Sequence, residues 1–271
     1  MARLRYVKSL EQVKRDAERN PEFLSSTVRS IRVVYETHPA LAAAVVPKPL
    51  VPSARPEVCA TFSHVAMHVS PELTIEIGSA IFGVRASYDG VEGLWLLTMP
   101  MTSEQAVISG RETYGEPKKI ASIAFRRDND RVAAVVSRLG IAYLEARGEL
   151  REALGPRELV EHAYCVKALP ACEKGAGFDG DPLLVRLEWK HRHDRVHRVD
   201  GELVLRESPF DPVADLPVTR LVRMEYEEGS TESNGRVLRA IPGAWLLPVL
   251  HQRYDDPRAE GVEIAELQRV C

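Results

Sequence analysis

The chain has 271 residues, 45% of them apolar and 28% charged, enough to bury one large core or two small ones. The formal net charge of −3 leaves no basic excess, so neither nucleic acid nor an anionic membrane is an expected partner. No run approaches the ~20 apolar residues of a membrane span. The opening Met1-Ala2-Arg3-Leu4-Arg5-Tyr6-Val7-Lys8 lacks the apolar stretch and cleavage site of a signal peptide. Cys59, Cys165, Cys172 and Cys271 are scattered, with no C-x-x-C pair. A cytoplasmic protein with free thiols is expected, without a disulfide framework or a zinc site.

In chain order, Ser9-Leu10-Glu11-Gln12 opens a short amphipathic helix with a capping-box pattern, and Asn20-Pro21 ends it. Residues 1–25 are therefore a helical arm. Residues 28–37 alternate loosely as a strand, and residues 39–46 read as a short helix closed by Pro47-Lys48-Pro49. Residues 57–68 and 73–87 are rich in β-branched and apolar side chains. Tyr88-Asp89-Gly90 then signals a hairpin turn into a return strand over 94–99. Residues 103–110 predict a helical turn. Residues 119–125 and 131–139 flank Asp128-Asn129-Asp130 as a second hairpin, while 142–152 is ambiguous. Residues 183–193 and 197–207 look like a long hairpin, 221–227 is one more strand, and 243–252 reads as a late helix. A polar tail over 256–271 follows.

Many antiparallel strands with few helices predict an α+β fold that is mostly antiparallel β. The expected sheet is a curved or closed, barrel- or cone-like one with a few peripheral helices. With no repeat and no linker, residues 1–271 are expected to form a single domain.

The most informative stretch is Gly110-Arg111-Glu112-Thr113-Tyr114-Gly115-Glu116-Pro117-Lys118-Lys119-Ile120. A lysine with an ordinary pKa near 10.4 is only about 0.04% free amine at pH 7. Burial and a neighbouring cation both disfavour the ammonium form and so raise nucleophilicity. Lys118-Lys119 at the mouth of an apolar strand supplies both in principle. However, adjacent strand residues point to opposite faces, which makes desolvation the stronger effect.

Other polar clusters have plainer readings. Lys190-His191-Arg192-His193-Asp194-Arg195-Val196-His197 contains H-x-H, but no third ligand sits at metal-binding spacing, so it reads as a polar hairpin tip. His64 and His68 fall on one strand face and are assigned a structural role. Arg111 and Glu112 are expected to orient the lysine loop through hydrogen bonds. No metal or cofactor is expected.

Several blocks, in order, resemble the acetoacetate decarboxylase family. They are Val34-Tyr35, Val45-Val46-Pro47-Lys48-Pro49-Leu50, Ala66-Met67-His68, Glu76-Ile77-Gly78-Ser79-Ala80-Ile81, Asp89-Gly90-Val91-x-Gly93, Glu104-x-Ala106, Gly110-Arg111-Glu112, Pro117-Lys118-Lys119 and Asp215-Leu216-Pro217-Val218. Together they cover most of residues 28–255. The resemblance implies that Lys118 is a Schiff-base lysine, that Lys119 is the neighbour lowering its pKa, and that Glu76 is an active-site carboxylate. It also implies a homo-oligomer. Arg29 and Glu116 are the expected substrate-binding residues, with the aromatic side chains of Tyr114, Trp245 and Tyr254 expected to line the ligand pocket.

The sequence departs from the family pattern in two places. A second glutamate is replaced by Ser63 or Thr61, and the expected arginine aligns with Val28, leaving Arg29 one position off. A one-residue slip reverses the face of a strand side chain, so Arg29 reaches the site only through a bulge. The expected activity is a carbon–carbon lyase that decarboxylates a β-keto acid, a small keto-acid substrate, through a Lys118 imine and enamine. The alternatives are an aldolase-dehydratase that condenses pyruvate or another 2-keto acid with an aldehyde, and a non-catalytic binder of small ligands.

Overall fold

The computed structural model describes residues 4–19, 24–70 and 73–264. Helix α1 (Leu10–Arg19) starts as its capping box requires: Ser9 N–H donates to Gln12 Oε1 at 2.8 Å and Gln12 N–H donates to Ser9 Oγ at 3.2 Å. It buries none of its residues. Asn20-Pro21 and residues 265–271 of the tail lie outside the described residues.

Strand β1 (Leu24–Glu36) is followed by helix α2 (Pro39–Ala44), a two-residue β2 (Val51–Pro52), β3 (Glu57–Ser70), β4 (Leu73–Tyr88) and β5 (Val91–Met101). Between β4 and β5 both turn residues are left-handed, Asp89 at φ 50° and Gly90 at φ 74°, which is the geometry that matches strand twist. Helix α3 (Glu104–Tyr114) leads into β6 (Lys118–Ile120) and the hairpin pair β7 (Ser122–Asp128) and β8 (Arg131–Arg138). Then come β9 (Ile141–Ala153), β10 (Arg157–Lys167), β11 (Leu183–Leu205) and β12 (Arg220–Ala240). Helix α4 (Gly243–Leu246) and a 3₁₀ turn (Leu247–Arg253) form the late helical segment.

The strands share one sheet. Its order is β10-β5-β4-β3-β1-β12-β11, and β11 pairs back onto β10 to close a ring. Within the ring, neighbours are antiparallel except at the β5–β10 seam, a parallel contact of Ala163 with Leu94 and Tyr164 with Trp95. The long hairpin expected over 183–207 is instead one strand of 23 residues. A register shift between His193 and Arg195 marks a bulge where the sequence suggested a turn. The first half of β11 pairs with β10, and its second half pairs with β9. That second pairing folds β9-β8-β7 back over the outside of the ring.

Strand alternation sorts the side chains into two faces. Ser26, Val28, Ser30 and Arg32 of β1, Thr61, Ser63 and Val65 of β3, and Ile77, Ser79 and Ile81 of β4 face the ring interior. The alternate residues Ile31, Val33, Tyr35, Val58, Ala60, Phe62, Ala80, Phe82 and Val84 face outward. There they pack on Val132, Ala134 and Val136 of β8 and Leu144 and Ala146 of β9. A third apolar cluster, including Trp95, Tyr164, Leu184 and Leu246, sits under α4. Among the described residues, no helix is long and apolar enough to cross a membrane.

Candidate active site

Two glycines shape the lysine segment. Ser103 Oγ caps α3 by accepting from Ala106 N–H at 3.3 Å. Gly115, at φ 74°, ends the helix, its N–H donating to Arg111 O at 3.0 Å while Glu116 N–H reaches Gly110 O at 3.3 Å. Strand β6 then lies parallel to β5, with Lys118 opposite Met99 and Lys119 opposite Pro100. Gly110 makes room for the polar pair behind it: a Cβ there would stand 2.6 Å from Lys118 Nζ and would strike Glu116 Oε2.

Alternation on β6 sends the two lysines to opposite sides. Lys118 enters the ring, where its Nζ lies 2.8 Å from Glu116 Oε2, with side chains 13% and 8% exposed. Lys119 turns towards the outer core. Its ammonium donates to Phe210 O at 2.8 Å and Asp211 Oδ1 at 3.2 Å, and it lies 3.2 Å from Asp255 Oδ1. Arg138 completes that cluster, reaching Asp211 Oδ2 at 2.6 Å and Asp255 at 3.0 and 2.9 Å. Two cations and two carboxylates balance there, and the Arg138 hydrogen bond holds the Asp255 carboxyl below its usual range. Lys119 faces away from Lys118 and its charge is neutralised by its own partners.

Lys118 and Glu116 line a cavity of about 170 Å³ inside the ring. One end is apolar, with Leu94, Met99, Met101, Ile77 and Ala106. The other is polar. Arg32 donates through Nε to Glu227 Oε2 at 3.2 Å and through Nη1 to Glu161 Oε1 at 3.0 Å. Arg157 reaches Glu227 Oε1 at 2.6 Å, and Ser30 and Ser63 share a hydrogen bond at 2.8 Å. Burial raises the pKa of both carboxyls, but the cations and histidines beside them outweigh it, and Glu161 and Glu227 are held below the usual carboxylate range. His191 Nδ1 pairs with Thr231 Oγ1 at 2.9 Å, and its Nε2 is 3.2 Å from Glu161 Oε2 but poorly aligned. His193 is buried and pushed below the ordinary histidine pKa by that burial, so its ring is neutral at pH 7.

Glu76 and Arg29 are not brought to the cavity. Both lie on the outside of the ring, in an open surface groove with Asp194, Arg195 and Glu228. Glu76 Oε2 is 3.5 Å from His64 Nε2 with its side chain 70% exposed, and Arg29 Nη2 is 3.4 Å from His64 Nδ1. The cause is parity. Ile77 and Val28 take the inward positions, and no bulge in the β1–β3 or β1–β12 pairing intervenes near Arg29 to reverse them. Tyr114 is wedged against Gly235, with its hydroxyl 3.5 Å from Asn234 Oδ1. Trp245 packs in the cluster under α4, away from the cavity. Tyr254 lies under the Arg111 guanidinium, 5.3 Å from the ring centroid. Arg111 in turn donates to Lys118 O and Arg253 O, each at 3.0 Å, so it orients the lysine strand as expected.

Arg32, Glu161, Glu227, His191 and His193 were not singled out as site residues. H-x-H was noticed but read as a hairpin tip; both imidazoles instead face the cavity from an unbroken strand. Glu161 and Glu227 carried no local signal, because β10 and β12 hold other charged residues such as Arg157, Glu158, Arg223, Glu225 and Glu228. No group of three or more His, Cys, Asp or Glu among the described residues is placed to hold a metal ion.

A closed, mostly antiparallel ring agrees with the fold of the solved structures that the chain resembles. The acetoacetate decarboxylase family model matches residues 11–241, and the chain belongs to that family. It is 25% identical over 212 residues to the acetoacetate decarboxylase of Clostridium beijerinckii, covering 72% of this chain and 79% of that one. It is also 26% identical over 246 residues to the CLA biosynthesis isomerase of Lactiplantibacillus plantarum, covering 83% and 86%. In fold it resembles the enduracididine biosynthesis enzyme MppR, solved with the condensation product of pyruvate and imidazole 4-carboxaldehyde. That match has a TM-score of 0.69 at 15% identity and covers 80% and 90% of the chains. The protein is an enzyme of a family whose members carry out more than one reaction.

Proposed function

We propose that Lys118 forms an imine with the keto group of a small keto acid, and that the protein is a Schiff-base carbon–carbon lyase decarboxylating a β-keto acid. The observation that carries this reading is a nearly buried lysine amine, with one polar partner, at an apolar-walled cavity. The protonated imine draws electrons from the bond to the carboxylate; carbon dioxide leaves, and the enamine is protonated and hydrolysed. The cavity's charge balance supports loss of the carboxylate. The three carboxylates at the cavity each already have a cation, Glu116 with Lys118, Glu161 with Arg32, and Glu227 with Arg32 and Arg157, so no side-chain cation among the described residues there is left free to hold a substrate carboxylate. A substrate carboxylate in such surroundings is relieved when it departs as a neutral gas.

A second reading keeps the imine and directs the enamine onto an aldehyde, giving aldol condensation and dehydration of a 2-keto acid. It is favoured by Ser63 at a carboxylate position of the family and by Arg29 and Glu76 outside the ring.

The test is borohydride reduction with acetoacetate and with pyruvate, followed by intact mass and peptide mapping. An adduct on Lys118 that is lost in Lys118→Ala is expected. Carbon dioxide release then identifies the decarboxylase, and enone absorbance with an added aldehyde identifies the aldolase. No adduct with either acid overturns the imine reading in favour of a small-ligand binder.

A further inference from the structure

We infer that Glu116 is the acid–base group of the imine-forming step, taking the ammonium proton of Lys118 and later returning a proton to expel water. This rests on the imine reading above and adds to it the device that discharges the lysine. Lys119 cannot serve that purpose, because it faces the outer core and is saturated by Phe210 O, Asp211 and Asp255. Glu116 touches the amine itself, at 2.8 Å, and is itself only 6% exposed.

Local construction fixes the contact. The left-handed Gly115 turns the chain so that Glu116 lies back over the last turn of α3, and Gly110 leaves the space the pair occupies. Arg111 from α3 grips the Lys118 carbonyl, so the amine is presented from a held backbone. The other titratable groups near the pair are Arg253, whose guanidinium donates to Val166 O, Tyr114 at the end of α3 and Cys165 of β10. Burial raises the pKa of the phenol and the thiol, and the Glu116 charge adds to it, so both stay neutral and supply no competing base. The Cys165 thiol is also committed to Tyr114 O at 3.1 Å.

The protons balance as follows. Glu116 accepts one proton from the Lys118 ammonium, and the freed nitrogen lone pair forms the C–N bond while the carbonyl π pair moves to oxygen. The carboxylic acid protonates that oxygen, and the regenerated carboxylate removes a second proton from nitrogen. This gives a neutral carbinolamine. Glu116 then donates that proton to the hydroxyl; water leaves as the nitrogen lone pair forms C=N. The products are a protonated imine, one water and the original carboxylate.

A carboxylate beside a lysine has an opposite possible effect, because as a mere counter-ion it stabilises the ammonium and slows attack. The two roles predict changes of opposite sign. The experiment mixes enzyme with pyruvate or acetoacetate, quenches with borohydride at successive times, and follows the adduct by mass between pH 6 and 9. For Glu116→Gln the proposal expects adduct formation at pH 7 to slow about 10²-fold or more. The deficit should shrink towards pH 9 as solvent removes the proton, with the melting curve still cooperative. A rate equal to or above wild type overturns it and makes Glu116 a counter-ion only. Should Glu116→Gln not fold, Glu116→Asp decides: roughly tenfold slower labelling supports the role, and an unchanged rate overturns it. Wild-type enzyme that gives no adduct with either acid sinks the imine reading and this inference with it, whereas normal wild-type labelling with an indifferent Glu116 sinks this inference alone.

Discussion

Lys118 and Lys119 are neighbours in sequence, similarly buried, and each lies beside a carboxylate, yet their surroundings differ in kind. Lys119 has three oxygen partners and belongs to a neutral cluster with Arg138, Asp211 and Asp255 that ties β6 and β8 to the segments around residues 211 and 255. Lys118 has one partner, Glu116, and otherwise faces a cavity. Burial does not distinguish a reactive lysine from a structural one. Spare donors, and space in front of them, do.

The sharpest way to test that contrast is to remove each amine in turn. Lys118→Met is expected to lower turnover at least 10³-fold, because covalent catalysis loses its nucleophile. A variant that keeps more than a tenth of the activity per folded molecule would break the assignment. Lys119→Met leaves Asp211 fully buried with one cation fewer, a change that costs about 3–5 kcal/mol of stability. Its borohydride labelling per folded molecule should match wild type. Should denaturant melts show little loss while the pH profile of labelling moves, Lys119 acts on Lys118 after all.

Acid should expose the polar end of the cavity next. His193, Glu161 and Glu227 all have pKa values lowered by folding, so each contributes stability that is present above its unfolded pKa and lost as pH falls. Melting temperature should hold between pH 7 and 8. It should decline first below the ordinary histidine value of 6.5 and again, more steeply, below the ordinary glutamate value of 4.5. His193→Gln should remove the first decline only. A melting temperature constant down to pH 5 in the wild-type protein would contradict the buried neutral imidazole. The smallest effects belong to the outer groove: Glu76→Gln and Arg29→Met should each change stability by within about 0.5 kcal/mol and activity by less than about twofold. A large loss of activity in either would place that side chain in the chemistry despite its outward parity.

Local chemistry was readable in advance where it is local in space. The Ser9–Gln12 capping box, the Asp89-Gly90 turn and the Glu116-Pro117-Lys118 segment all act within a few residues of themselves. The long-range features were not. Ring closure depends on β11 pairing back to β10 and on a two-residue parallel seam, which no local pattern encodes. Arg32, Glu161, His191 and Glu227 come from four different strands and meet only because that ring closes. Parity was the deciding variable for Arg29 and Glu76. The sequence match placed them, but a single alternation put them outside. Asp194-Arg195 misled for a related reason, since a bulge and a turn share the same polar signature.

Strand β11 has a consequence for how the molecule can be divided. At ~3.3 Å per residue, its 23 residues reach on the order of 75 Å along one path. The first half closes the ring and carries the two cavity imidazoles; the second half holds the sheet that covers the ring's outer face. A cut at the bulge would leave the ring without its cover and the covering sheet without its longest partner. The cavity and its casing therefore cannot be separated into parts that are exchanged, transplanted or expressed alone, because one continuous beam serves as a wall of both.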